Sequence, residues 1–204
     1  ILCFFQGHSL EIDAAMISAA KNTVFLGLSA ACLVIFVASI LGMTAAFDKS
    51  RTMKVLAALT SFGYAFPGTI LAIGVVTAGG ALDDNISYVL GTVAGISYDG
   101  WLTSGVGLVL CACVIRFQAI GYGAVSTGLQ RVSPNMAEAS RVLGCGLMQS
   151  MRRVMLPSIS LSCVAGALLV FVDVMKELPM TLILRPFNYE TLATIVYQYA
   201  KDEL

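Results

Sequence analysis

The chain has 204 residues, 58% of them hydrophobic and only 12% charged, with a mean hydropathy of +0.86. That is too apolar for an ordinary soluble domain and places the chain in a bilayer. Twelve basic and twelve acidic side chains cancel to a formal net charge of zero, which leaves no general attraction to nucleic acid or to anionic lipid.

The chain opens at Ile1 with no charged n-region, apolar h-region and small-residue cleavage site behind it, so it reads as an internal piece of a longer protein. Its single histidine, His8, lies ahead of the apolar runs and reads as a surface residue rather than a metal ligand. Two stretches, 22–47 and 55–82, carry no charged side chain, and each is long enough to cross a hydrocarbon core of about 30 Å as a helix. A third run, broken only by Arg116, and a fourth after Arg153 complete the set. The prediction is an all-α, polytopic transmembrane bundle with spans at about 22–47, 55–80, 102–126 and 155–175. Pro67 and Gly68 fall inside the second span, where neighbouring helices can satisfy the backbone groups they free.

The loops between the spans set the orientation. Lys49, Arg51 and Lys54 follow the first span, and Arg131, Arg141, Arg152 and Arg153 lie in the loop at 130–157, so both segments are expected on the cytoplasmic side. The stretch 81–100 holds Asp83, Asp84 and Asp99 with no Lys or Arg and is expected as an external loop. The segment from about Leu178 should then also be external. The last four residues, Lys201-Asp202-Glu203-Leu204, formally match an endoplasmic reticulum retention signal and are read as an accident of truncation.

Six cysteines do not make a disulfide framework, because Cys32, Cys111, Cys113 and Cys163 sit inside apolar runs as small buried hydrophobes. Cys111 and Cys113 are about 200° apart on a helix and form no metal site. No metal-ligand cluster at characteristic spacing is present in the sequence, and no span carries a histidine, which argues against an intramembrane hydrolase. Among the charged residues, Asp173, Lys176 and Glu177 stand at i, i+3 and i+4 and are expected to share one helix face. Two readings stand for them, an outer gate or a salt-bridged helix end. Arg116, read as lying toward the cytoplasmic side of its span, is either functional or snorkelling. Tyr64 and Pro67 either shape a pathway or serve packing and a kink.

The loop at 130–157 carries more pattern than a connection needs. Ser133-Pro134 is a helix start, Gly144 and Gly146 interrupt the helical spacing, and a second amphipathic stretch from Leu147 is expected to stop at Pro157. Within it stand Glu138-Ala139-Ser140, three residues, Gly144, nine residues, Val154, one residue, then Leu156-Pro157. This spacing resembles the E-A-A loop of the permease subunits of binding-protein-dependent ABC importers, with Ser140 in place of the third Ala and Val154 in place of Ile. The resemblance implies the type I permease fold. It also implies a coupling helix docked on an ATPase subunit through Glu138, Ala139, Ser140, Gly144, Leu156 and Pro157.

Two further stretches resemble the ferric iron permeases: Gly63-Tyr64-Ala65-Phe66-Pro67-Gly68-Thr69 with Ile73-Gly74, and Phe171-Val172-Asp173-Val174-Met175-Lys176-Glu177-Leu178-Pro179, which continues through Thr181-Leu182 and Leu184-Arg185-Pro186-Phe187-Asn188 to Thr191-Leu192-Ala193. Together with Arg116-Phe117 and the loop, the resemblance covers most of the chain from residue 63 onward. The implied protein is a non-enzymatic importer subunit in a bacterial inner membrane. Its implied partners are ABC ATPases, an external binding protein and a second permease half, and ATP is bound on the ATPase rather than on this chain. The competing cargoes within the same class are thiamine, phosphonate, sulfate and polyamine. An ion-coupled secondary transporter is the rival from another class, and the loop spacing speaks against it.

Overall fold

Alanine, leucine, valine and phenylalanine surround the first predicted span on every side, and a helix apolar all round belongs in a large core or among lipids. In the computed structural model, which describes residues 14–47, 50–93, 95, 105–132, 142, 144 and 146–202, that segment is α1 (Ala14–Phe47). It is followed by α2 (Arg51–Ala65), whose start is capped by Ser50 Oγ accepting from the Met53 amide at 3.4 Å. Then come α3 (Gly68–Val93), α4 (Gly107–Arg131) and a short α5 (Leu147–Ser150). A π-helical turn (Met151–Met155) leads into α6 (Leu156–Met175), followed by α7 (Pro179–Leu184) and α8 (Leu192–Asp202). The fold is all-α, with no strand among the described residues. Among the described residues, four stretches are long and apolar enough to cross a membrane: Ala15–Ala46, Gly68–Thr92, Gly107–Arg131 and Met148–Met175.

Small residues let three of these helices approach closely. A Cβ on Gly121 of α4 would press on Val34 of α1, and one on Gly166 of α6 would press on Ala124 of α4. The contacts also give the directions: Gly42 meets Val125 and Leu129, Gly128 meets Ser162 and Ile159, and Gly27 meets Phe171. Thus α1 and α4 run parallel and α6 returns antiparallel against both. The core at this junction includes Leu26, Val34, Val109, Cys113, Phe117, Val170 and Met180, all buried. Phe25, Phe36, Leu161 and Leu168 point outward, as side chains facing lipid do. Cys111 is exposed and Cys113 buried, on opposite sides of α4.

One end of the bundle gathers Arg51 and Lys54 at the start of α2, Arg131 at the end of α4, and Arg152 and Arg153 in the π-helical turn. The opposite end is closed by the 185–191 segment folded onto the first turns of α1. There Asn22 Nδ2 donates to the Glu190 carbonyl at 3.0 Å, the Tyr189 hydroxyl to the Asn22 carbonyl at 3.1 Å, and the Leu192 amide to Thr23 Oγ1 at 2.8 Å.

The structure differs from the predicted segments in three places. The span expected at 55–80 is not one helix, because Pro67 has no amide hydrogen and holds Phe66 extended (φ −84°, ψ 140°), so α2 ends and α3 begins anew. The external loop expected from residue 81 is helical as far as Val93, and Asp83 lies buried on that helix. Finally, the amphipathic stretch expected to stop at Pro157 continues through it. The wide turn before it has the Leu156 amide bonded to the Met151 carbonyl, which relieves the clash a proline ring makes with the carbonyl four residues earlier.

Candidate functional site at an interrupted span

Gly63 is buried where α2 crosses α4, and a Cβ there would overlap the Ile115 carbonyl oxygen. Only glycine permits this approach, and it places the Phe66–Pro67 break beside Arg116. The Arg116 Nη1 donates to the freed Phe66 carbonyl at 3.3 Å, while its Nε faces Glu177 Oε2 at 3.6 Å. Both side chains are largely withdrawn from solvent, at 20% and 9% exposure. An ion pair with these exposures draws on a low local dielectric and suffers heavily if one partner is removed. The pair is under-satisfied, for Arg116 Nε and Glu177 Oε1 are buried without a hydrogen-bond partner. Gly68, the first residue of α3, sits against it: a Cβ there would lie 2.8 Å from Arg116 Nη1, 2.8 Å from Glu177 Oε1 and 3.2 Å from Met180 Cγ.

Glu177 reaches this point because α6 ends at Met175. Lys176 leaves helical geometry (φ −92°, ψ 0°), the Glu177 amide bonds back to Val174 O at 3.1 Å, and Pro179 starts α7. Thr181 Oγ1 then donates to the Glu177 carbonyl at 2.7 Å. The expectation that Asp173, Lys176 and Glu177 share a face is therefore corrected. Asp173 and Lys176 pair at 2.7 Å with Lys176 well exposed, whereas the turn after Met175 swings Glu177 inward. The Asp173 hydrogen bond is the main reason the Lys176 ammonium titrates above its ordinary value. Arg116 is also placed differently from its expected cytoplasmic-side position. It stands nine residues after Gly107 and fifteen before Arg131, far from the basic end of the bundle. Tyr64 and Pro67 are both exposed beside the break.

Glu138, Ala139 and Ser140 lie outside the described residues. Gly144 is described and takes φ +85° in an exposed turn, a conformation that favours glycine. Val142 and Met148 are strongly exposed nearby in sequence, at 87% and 70%. Met148, Gln149, Arg152 and Arg153 line an open concavity of about 560 Å³. Leu156 and Pro157 are exposed on the first turn of α6.

Two features escaped the sequence reading. Gln118 of α4 is buried with neither amide atom hydrogen-bonded, and its only signal was a polar residue within an apolar run. The second is the anchor in which Arg185 pairs with Glu190 and Thr194 Oγ1 donates to Glu190 Oε2 at 2.8 Å. Burial pushes the Glu190 carboxyl up, but the hydrogen bonds from Thr194 and Arg185 and the Arg185 charge outweigh it and hold the group below its ordinary value of 4.5. Pairing across five residues of irregular chain leaves no periodic trace in a sequence.

Residues 38–199 match a protein-family model described as the binding-protein-dependent transport system inner membrane component. The matched stretch contains the interrupted span, Arg116, Glu177 and the whole of 142–157. No curated protein matches the chain.

Proposed function

The chain belongs to the inner membrane components of binding-protein-dependent transport systems, a multi-pass membrane transport component whose system includes an ATPase and a binding protein. From that premise we propose that its cargo is ferric iron, delivered by an external binding protein and passed across a bacterial inner membrane. The observation that carries the cargo reading is a convergence. The two stretches that resemble ferric permeases, at 63–69 and 171–179, and the accompanying Arg116-Phe117 are distant in sequence yet meet at Phe66, Arg116 and Glu177. A cluster assembled from all three is a better candidate for the pathway than any one stretch alone.

In this reading the basic end faces the cytoplasm. The segment around Glu138, Ala139, Ser140, Gly144, Leu156 and Pro157 seats the ATPase, supported by the positive-φ turn at Gly144 and the exposed Val142 and Met148. The interrupted span, with Tyr64 and Pro67 at its surface, borders the pathway together with Arg116 and Glu177, and the Asp173–Lys176 pair stands at its rim. ATP binding closes the ATPase pair and moves the coupling segment, and hydrolysis resets it. The chain itself holds no ATP and catalyses no reaction. The metal is carried to it and needs only a transient path.

Binding-protein-dependent uptake of radioactive ferric iron into vesicles holding the intact subunit and its ATPase tests this, with thiamine and phosphonate as parallel cargoes. ATP-dependent iron accumulation is the expected result, and uptake of another cargo instead would discard iron. In the same vesicles Gly144→Pro should abolish uptake while membrane insertion stays intact, because proline cannot adopt φ +85°.

A further inference from the structure

Arg152 and Arg153 follow one another in the π-helical turn, both exposed, and no acid pairs with either among the described residues. With Met148 and Gln149 they line the concavity of about 560 Å³ at the basic end of the bundle. The same helical path then carries into a second depression. A groove of about 480 Å³ runs between α1 and α6, lined by Phe36 from one and by Leu156 and Val164 from the other, with the smaller Ser39, Ser160 and Cys163 completing it. Phe36, Leu156 and Val164 are exposed, so the groove opens on the outer surface of the bundle. Its hydroxyls are already engaged. Ser160 Oγ donates to the Pro157 carbonyl at 2.8 Å, and Ser39 Oγ meets Cys163 Sγ at 3.8 Å. What the groove offers an occupant is therefore apolar contact.

The two depressions are aligned on one helical path. Leu156 lies one turn beyond Arg152 and Arg153, and the α6 lining continues to Ala167. At 1.5 Å per residue that lining is about 16 Å long, close to one leaflet of a hydrocarbon core about 30 Å thick. Exposed arginines alone would accept any anion, and an apolar face alone would meet any lipid tail. A cationic mouth leading into an apolar groove one leaflet deep selects a molecule with an anionic head and a long chain. We propose that this face binds one anionic phospholipid, with its headgroup phosphate on Arg152 and Arg153 and an acyl chain in the α1–α6 groove. The zero net charge of the chain excludes only a general attraction to anionic lipid, and this site is local. The bound lipid holds α1 against the first turns of α6. The inference rests on the chain spanning a bilayer and not on its cargo.

The test uses the intact subunit, with and without its ATPase, purified in detergent and supplied with mixed micelles of phosphatidylglycerol or of phosphatidylcholine with the same acyl chains. Retained lipid is counted by native mass spectrometry, and the unfolding temperature is read beside it. One tightly retained phosphatidylglycerol per chain is expected, with an unfolding temperature raised by that lipid and not by phosphatidylcholine. Arg152→Gln combined with Arg153→Gln should weaken retention about twenty-five-fold, from about fivefold for each charge near an anionic headgroup. Arg152→Lys with Arg153→Lys should keep most of it. Ser160→Trp fills the groove and leaves both arginines in place, so it should lose the lipid, whereas Leu168→Trp, on the exposed side of α6 outside the groove, should retain it. If Ser160→Trp does not fold, Val164→Trp takes its place. Equal stabilisation by the two lipids would overturn the headgroup assignment, and equal retention in Ser160→Trp and Leu168→Trp would overturn the groove. Stabilisation by inorganic phosphate as large as that by phosphatidylglycerol would reduce the site to an anion patch. Phosphatidylglycerol held by the isolated subunit but lost on assembly would give the surface to the ATPase instead. Because lipid is counted on the subunit itself, a failure of the importer reading leaves this result standing.

Discussion

Two prolines stand in the helical spans of this molecule and have opposite effects. Pro67 ends one helix and starts another, whereas Pro157 passes inside a continuous helical path from Leu147 to Met175. Each removes the same amide donor. At Pro157 the freed space is absorbed locally, by a π-helical turn and by Ser158 and Ser160 hydroxyls donating to the Val154 and Pro157 carbonyls at 2.7 and 2.8 Å. At Pro67 the groups that meet the break come from elsewhere, from Arg116 on α4 and Glu177 beyond α6. A proline in a span therefore becomes a break where tertiary partners receive the exposed helix ends, and a local adjustment where only its own turn is available.

The sharpest way to break this contrast is Gly63→Val, which removes the close approach that brings Arg116 to the break. The new side chain meets backbone at Ile115, which cannot rotate away, so a loss of about 3 kcal/mol is expected, read as a lowered unfolding temperature in detergent. Pro67→Ala should cost less. Phe66 is in ordinary extended geometry, so removing the ring mainly frees the unfolded chain and should lower stability by about 0.5 kcal/mol, while ATP-dependent uptake falls as the restored amide lets α2 and α3 join. Equal or higher uptake would mean that the break is incidental.

An effect well below that at Gly63 is expected at the anchor on the α1 end. Glu190 titrates below its ordinary value, so its contribution is present above about pH 4.5 and is lost as pH falls through the lowered folded value. For a pair this exposed the loss should be no more than about 1 kcal/mol. It should be absent in Glu190→Gln when unfolding at pH 7 and pH 3 is compared. The smallest change is predicted for Pro157→Ala, within about 0.5 kcal/mol, because that turn already meets its own needs. A large effect there would erase the distinction between the two prolines.

Much of the fold was legible because apolar length is additive along the chain. Uncharged runs long enough for a bilayer announce helices without reference to neighbours, and the described residues hold four such helices. The site was legible only in part. Arg116, Pro67 and Glu177 were singled out as charges or breakers in apolar surroundings, but their meeting was not, since 50 residues separate Phe66 from Arg116 and a further 61 separate Arg116 from Glu177. The grouping of Glu177 with Asp173 and Lys176 failed because helical periodicity was extended past Met175, where the chain turns ahead of Pro179.

Composition by itself determined that this is a helical membrane protein, and the resemblance of its loop pattern pointed to the binding-protein-dependent transport class that the family match shows, because hydrophobicity and motif spacing are properties of the chain alone. Only the tertiary structure decided which proline breaks its helix and which carboxylate faces Arg116. Those outcomes depend on how closely α2 can approach α4 at Gly63 and where α6 stops, and a one-dimensional pattern records neither distance nor direction.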